Sequence, residues 1–315
     1  MAISRFKTST VAQGLPKYQD FWDNITVLIN FLPSVYMAGG GTNFQVFNVG
    51  PETITSFPSG LATTGGLAAG GISNNTVAGY VQESFADGGD FSKISFSTQT
   101  ASFLSGGTKD GGSGVSNDGT AGYIGGGTAT GTYLNTITKR AYSTDAYTNA
   151  GGSIYASVIQ NYGWSTGSSF GYFGGGFQNS ASTTGGVSKY NYSNETASGT
   201  NSIVSLRLGA AASSASKGYI FGGYNNSNSN VNTIQSWTYS NDTQATLGVT
   251  LSAARRENAA GGSYSFLYSF GGTESGAVLT IQKFTTSSET ISTLGTSLAY
   301  GVNSGQNSAA NNRGA

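Results

Sequence analysis

Along this chain apolar and polar residues alternate in short runs, each closed by glycine or by a cluster of Ser, Thr, Asn and Asp. Period-2 runs of that length predict short strands joined by tight turns. No segment carries the i, i+3, i+4 spacing of an amphipathic helix over a useful length. Two runs recur. The first is an apolar strand ending in glycines, as in Gly171-Tyr172-Phe173-Gly174-Gly175-Gly176 and Gly218-Tyr219-Ile220-Phe221-Gly222-Gly223. Its tyrosines fall at 36, 80, 123, 172, 219 and 268, and the copy at Tyr80 has lost the glycine pair. The second run ends in a turn, as in Val187-Ser188-Lys189-Tyr190-Asn191-Tyr192-Ser193-Asn194-Glu195-Thr196. Its penultimate residues are Glu52, Gln99, Asp145, Glu195, Asp242 and Glu289.

Both columns keep a period near 47 over six copies, the size of a propeller blade rather than of a helical solenoid. The expected fold is therefore all-β, a six-bladed β-propeller over residues 35–315 preceded by an extended N-terminal arm over 1–34. Alternation in the second run places every other side chain between neighbouring blades. The acidic column reads as turn stabilisation, and Lys93, Lys139 and Lys189, which share another column, read as solvent-exposed strand positions. The double glycine permits positive φ where a strand meets its loop. Small residues at 209–214 and 258–263 suit the innermost strands beside the channel. Residues 309–315 line up with 213–219, as if a seventh unit were beginning. The segment from about residue 303 is expected to pair into the first blade and hide its open edge.

Composition narrows the chemistry. The chain has 49 glycines and 4 prolines, with 9% charged residues, while 12% aromatics supply material for a core. Fourteen Lys and Arg balance fourteen Asp and Glu, and the adjacent basic pairs Lys139-Arg140 and Arg255-Arg256 are too small for phosphate neutralisation. Nucleic acid is not an expected partner. There is no Cys and no His, which removes thiolate nucleophiles, disulfides, the commonest general base and the commonest metal ligands. No cofactor, metal or catalytic residue is expected. No run approaches the roughly 18 apolar residues of a transmembrane helix. Arg5, Lys7 and Lys17 have no apolar stretch behind them, so no signal peptide is read.

The glycine-closed strands and the aromatic strands that follow them resemble the kelch-type propeller family, from about Val35 to the end, although the usual kelch tryptophan does not recur in each unit. That resemblance implies architecture, since propellers serve enzymes, adhesins and scaffolds alike. The opening, with Ala2-Ile3-Ser4-Arg5-Phe6-Lys7 and then Tyr18, Phe21 and Trp22, is similar over about twenty residues to the start of structural proteins of tailed phages. It implies a non-enzymatic virion protein, a tail fibre or fibre-tip subunit. Arg5, Phe6, Lys7, Tyr18, Phe21 and Trp22 would anchor the arm on other virion tail proteins, host surface polysaccharide would be the ligand, and trimers, common in phage fibres, would be the assembly. Alternatives are a capsid fibre, decoration or tail adaptor protein, and a glycan-cleaving enzyme.

For glycan recognition, Asn161, Tyr162 and Trp164 offer ring faces and an amide, with a blade-core role for Trp164 as the competing reading. Copper-oxidase chemistry of the galactose-oxidase type needs histidine and a Tyr–Cys cross-link, both missing. Arg207, Arg255 and Arg256 lack the Ser-x-Asp-x-Gly-x-x-Trp motif that accompanies sialidase arginines. Asp87 with Asp90, and Asp110 with Asp118, read as solvated loop acids, and residues 111–114 as a turn without phosphate-loop spacing.

Overall fold

The computed structural model describes residues 33–39, 43–56, 67–73, 77–83, 91–105, 109, 111–117, 119–178, 182–301 and 309–312. Arg5, Phe6, Lys7, Tyr18, Phe21 and Trp22, and the acids at 87, 90, 110 and 118, lie outside them. Among the described residues, the strands form six four-stranded antiparallel sheets and two short ribbons. Each sheet is one blade, numbered along the chain. From the innermost strand outwards, blade 2 runs Leu67–Ser73, Ala78–Glu83, Phe91–Ser95 and Thr100–Leu104, and blade 3 runs Ser113–Asn117, Ala121–Gly125, Thr136–Ala141 and Tyr147–Ser153. Blade 4 runs Tyr162–Ser165, Phe170–Gly174, Val187–Asn191 and Thr196–Gly199, and blade 5 runs Ala210–Ser213, Lys217–Tyr224, Asn230–Thr238 and Thr243–Thr250. Blade 6 follows with Ala259–Gly262, Phe266–Thr273, Ala277–Thr285 and Thr290–Ser297. Every innermost strand packs on those of both neighbouring blades, and the sequence of contacts returns to its start. The fold is a closed six-bladed β-propeller.

Closure is made by the two ends of the described chain. Blade 1 takes Ser34–Gly39, Asn43–Asn48 and Thr53–Ser56 from one end and its innermost strand, Ala309–Asn312, from the other. Ser34 pairs with Asn312 and Met37 with Ala309. The expected clasp is present, with one correction. Ala310 faces Tyr36 as Ala212 faces Tyr219, two residues away from the sequence alignment. A shift of two keeps each side chain on its face, so alternation alone could not detect it.

Small residues let the blades interlock. A Cβ at Gly218 would stand 2.2 Å from Trp164, and one at Gly171 would stand 2.5 Å from Val115. The glycine before each of these tyrosines thus receives a knob from the preceding blade's innermost strand. The double glycines take positive φ, as at Gly222 and Gly223 (62° and 127°). Their tight path lets Gly223 N–H donate to the Arg255 carbonyl of the next blade at 2.8 Å.

Candidate functional site

The seams between blades follow one plan, and the candidate site is the seam where the covering ring and the facing lysine are both replaced by polar residues. At a regular seam the column tyrosine reaches the turn residue of the next blade. Tyr172 Oη donates to Asp242 at 2.9 Å and Lys189 Nζ meets the same carboxylate at 2.8 Å. Lys93 with Asp145, Lys139 with Glu195, and Lys283 with Glu52 repeat the contact at 2.5–2.7 Å. The last of these joins blade 6 to blade 1. The lysine column is therefore a set of bridges between blades, not a free solvent face. The acids both close their turns, in a left-handed conformation such as φ 53° at Asp242, and bind the preceding blade. Burial raises the pKa of the column tyrosines, with Tyr36 pushed up to about 12; at Tyr80, Tyr172, Tyr219 and Tyr268 the neighbouring carboxylate adds to the shift.

Three residues before the turn residue, a ring covers the tyrosine of the preceding blade at four seams, while Val49 takes that place at the seam of blades 6 and 1. Phe96 stacks on Tyr36, Tyr142 on Tyr80, Tyr192 on Tyr123 and Tyr239 on Tyr172, with centroids 4.8–5.5 Å apart. At the seam of blades 5 and 6 that position is Thr286. The lysine column is also vacated there, because Ser236 faces Tyr219 where lysines face the tyrosines of blades 2, 3, 4 and 6. Lys217, two residues before Tyr219 on the neighbouring strand, supplies the cation instead and meets Glu289 at 2.7 Å.

Removal of the ring leaves a cleft of about 360 Å³ beside Tyr219, lined by Lys217, Tyr264, Thr286, Glu289 and several serines. Tyr264, on the hairpin between the first two strands of blade 6, is 40% exposed. Glu289 Oε1 accepts from both Lys217 Nζ and Tyr219 Oη (3.2 Å). Its Oε2 has no partner among the described residues, and Lys217 keeps two ammonium protons to donate. Thr286 Oγ1 donates to the Tyr264 carbonyl at 2.9 Å, holding the two walls together. An aromatic wall with convergent donors and acceptors suits a polyhydroxylated ligand.

The sequence-chosen residues lie elsewhere. Trp164 and Tyr162 are each 2% exposed and Asn161 is 4% exposed. Trp164 stacks on Tyr172 and meets Trp237 at 5.7 Å, while Asn161 Nδ2 donates to the Gly125 carbonyl at 3.2 Å. These rings are blade core with no face left for a sugar. Arg255 is wholly buried and donates to Gly271 O, Thr280 Oγ1 and Ser252 Oγ. Residues 111–114 lead into an innermost strand, with Gly111 at φ 71°. Sequence reasoning missed Tyr264 and Lys217. The available signal was a polar residue in both columns at one seam, threonine where others carry a ring or Val49 and serine where others carry lysine or Val46.

No protein-family model matches the chain, and no curated protein sequence matches it. Among solved structures, that of YjhT is similar, with a TM-score of 0.65 and 14% identity over 83% of this chain and 94% of that one. The likeness is one of fold. No helix among the described residues is long and apolar enough to cross a membrane.

Proposed function

We propose that this propeller is a non-enzymatic attachment module of a phage virion, a tail fibre or fibre-tip subunit. In this reading the cleft between blades 5 and 6 binds host surface glycan, and the N-terminal arm holds the protein on other tail proteins, in trimers as phage fibres do. The observation that carries the glycan reading is the exposed Tyr264 ring standing across from Lys217 and Glu289 in a hydroxyl-lined cleft. An aromatic face stacks on the apolar side of a sugar ring while the ion pair's spare donors and acceptor take its hydroxyls. Binding rather than cleavage is favoured because Glu289 is the one carboxylate among the described residues lining the cleft, whereas most glycoside hydrolases use two. The virion and arm reading is supported by the resemblance of the opening residues to tailed-phage structural proteins.

The test is adsorption. The recombinant chain should bind host cells and compete with particle adsorption. Tyr264→Ala should weaken binding by about tenfold, the equivalent of about 1.4 kcal/mol, and a melting curve of the variant checks that its fold is kept. Absence of both adsorption and competition, with antibody labelling of the protein on the capsid, would favour the decoration role instead.

A further inference from the structure

On the opposite face of the ring, where the double glycines meet the links between blades, two arginines stand in a ladder with two aromatic rings. The Arg207 guanidinium lies 4.0 Å from the Phe177 ring centroid and 5.2 Å from that of Tyr224, and the Arg256 guanidinium lies 4.8 Å from the Tyr224 centroid. The fold builds this arrangement by repetition. Phe177 and Tyr224 each follow a double glycine, and Arg207 and Arg256 each precede an innermost strand by three residues. Arg207 bridges Tyr224 through paired backbone bonds of 3.0 and 2.7 Å. Backbone bonds from Leu208 to Gln160 and from Glu257 to Leu208 then tie these links together from blade to blade.

Every other cation of the described residues makes an ion pair or a side-chain hydrogen bond, though Arg255 Nε too is buried without an acceptor. Lys93, Lys139, Lys189, Lys217, Lys283, Arg255 and Arg256 have carboxylate partners. Lys109 and Arg140 donate to backbone carbonyls. Arg207 has neither an ion pair nor a side-chain hydrogen bond among the described residues, and its Nε–H is buried without a partner. Glu257, the nearest acid in the ladder, already accepts from Thr273 Oγ1 at 2.7 Å and meets Arg256 at 3.4 Å. The Arg207 Nη groups are not buried in this way and make no hydrogen bond among the described residues, so a planar oxyanion can take two parallel bonds from them.

We propose that Arg207, with Arg256 beside it, forms an oxyanion-binding site that takes the carboxylate or phosphate group of a small ligand, independent of the saccharide cleft on the other face. Phe177 and Tyr224 hold the guanidinium planes and leave the Arg207 Nη groups as the contact surface.

The experiment titrates the full chain, labelled at arginine, with galacturonate, inorganic phosphate and galactose at low ionic strength while following the arginine Nε–Hε resonances. Arg207→Lys and Arg207→Gln assign the signal, and a melting curve for each checks its fold. The expected result is a saturable shift of the Arg207 resonance with galacturonate or phosphate, at least tenfold tighter than any response to galactose and weakened by added salt. A response to galacturonate alone identifies a carboxylate site, and one to phosphate alone a phosphate site. An Arg207 resonance unmoved by both anions would overturn the inference, as would equal responses to galactose and galacturonate; either result leaves the Tyr264 adsorption test untouched.

Discussion

A tyrosine hydroxyl at each seam meets a turn residue carried by the next blade, and the chemistry on the two sides changes together. Where blade 1 offers Val46 in place of a lysine, the facing turn carries Gln99 rather than an acid, and Gln99 hydrogen-bonds Tyr36. An acid there would be a charge without its counterion, which low dielectric makes costly. Lys109 shows the same economy. It is 1% exposed, its pKa is lowered by burial to about 7, and it donates to Ile124 O (2.9 Å) and Thr136 O (2.6 Å). A neutral amine has two protons for those two acceptors. Between pH 7 and about 10.4 the unfolded chain holds a proton on this lysine that the folded chain has released, so stability should rise with pH across that window. The column tyrosines act in the opposite sense. Their folded pKa values are raised, so their contribution is present below about pH 10 and is lost above it. Urea unfolding of the native protein should show a gain of a few kcal/mol from pH 6.5 to 9.5, about 1.4 kcal/mol per pH unit at most. Lys109→Met should flatten that slope by removing the titrating amine, and should keep the fold because Ile124 O and Thr136 O retain donors from Thr138 Oγ1 and Gly126 N. A native profile that is flat over this window would mean that Lys109 stays charged in the fold.

At the scale of the strand and its turn, the Thr286 position ties stability to function. Restoring a ring with Thr286→Tyr should stack on Tyr219 as Tyr239 does on Tyr172, and should stabilise the domain by about 0.5–1.5 kcal/mol. The same ring would fill the cleft and abolish glycan adsorption. Differential scanning calorimetry and cell binding on one protein sample read both effects. A variant that is more stable yet still binds would move the ligand away from this seam. The sequence made the columns legible because each recurs at blade spacing: Tyr172, Glu195 and the double glycine at 175–176 could all be placed on a strand or turn. It did not show which columns touch, since Tyr172 reaches Asp242 seventy residues on, and a period says nothing about contact across a seam. That is why the lysines read as solvent-exposed. Asn161, Tyr162 and Trp164 were misleading for a related reason: their composition matches a sugar platform, but an innermost strand turns those rings into the adjoining blade.

For the whole molecule, the ring is only as closed as its last strand. Five blades each draw all four strands from one continuous stretch, whereas blade 1 needs residues from both ends of the chain. Without Ala309–Asn312 the strand Ser34–Gly39 loses its inner partner, and the innermost strands of blades 2 and 6 lose the neighbour on which both pack. Open edges and exposed apolar faces would then remain on both sides of the gap. The face carrying Tyr264 and the face carrying Arg207 both depend on blades 5 and 6, which are held in the ring through blade 1. The most direct measurement is thermal unfolding of a chain lacking residues 303–315, beside the full chain. Closure by the terminal strand predicts loss of the cooperative transition, or a fall in melting temperature large enough to leave the truncated chain unfolded or aggregated. A truncated chain that melts cooperatively at the temperature of the full one would contradict it.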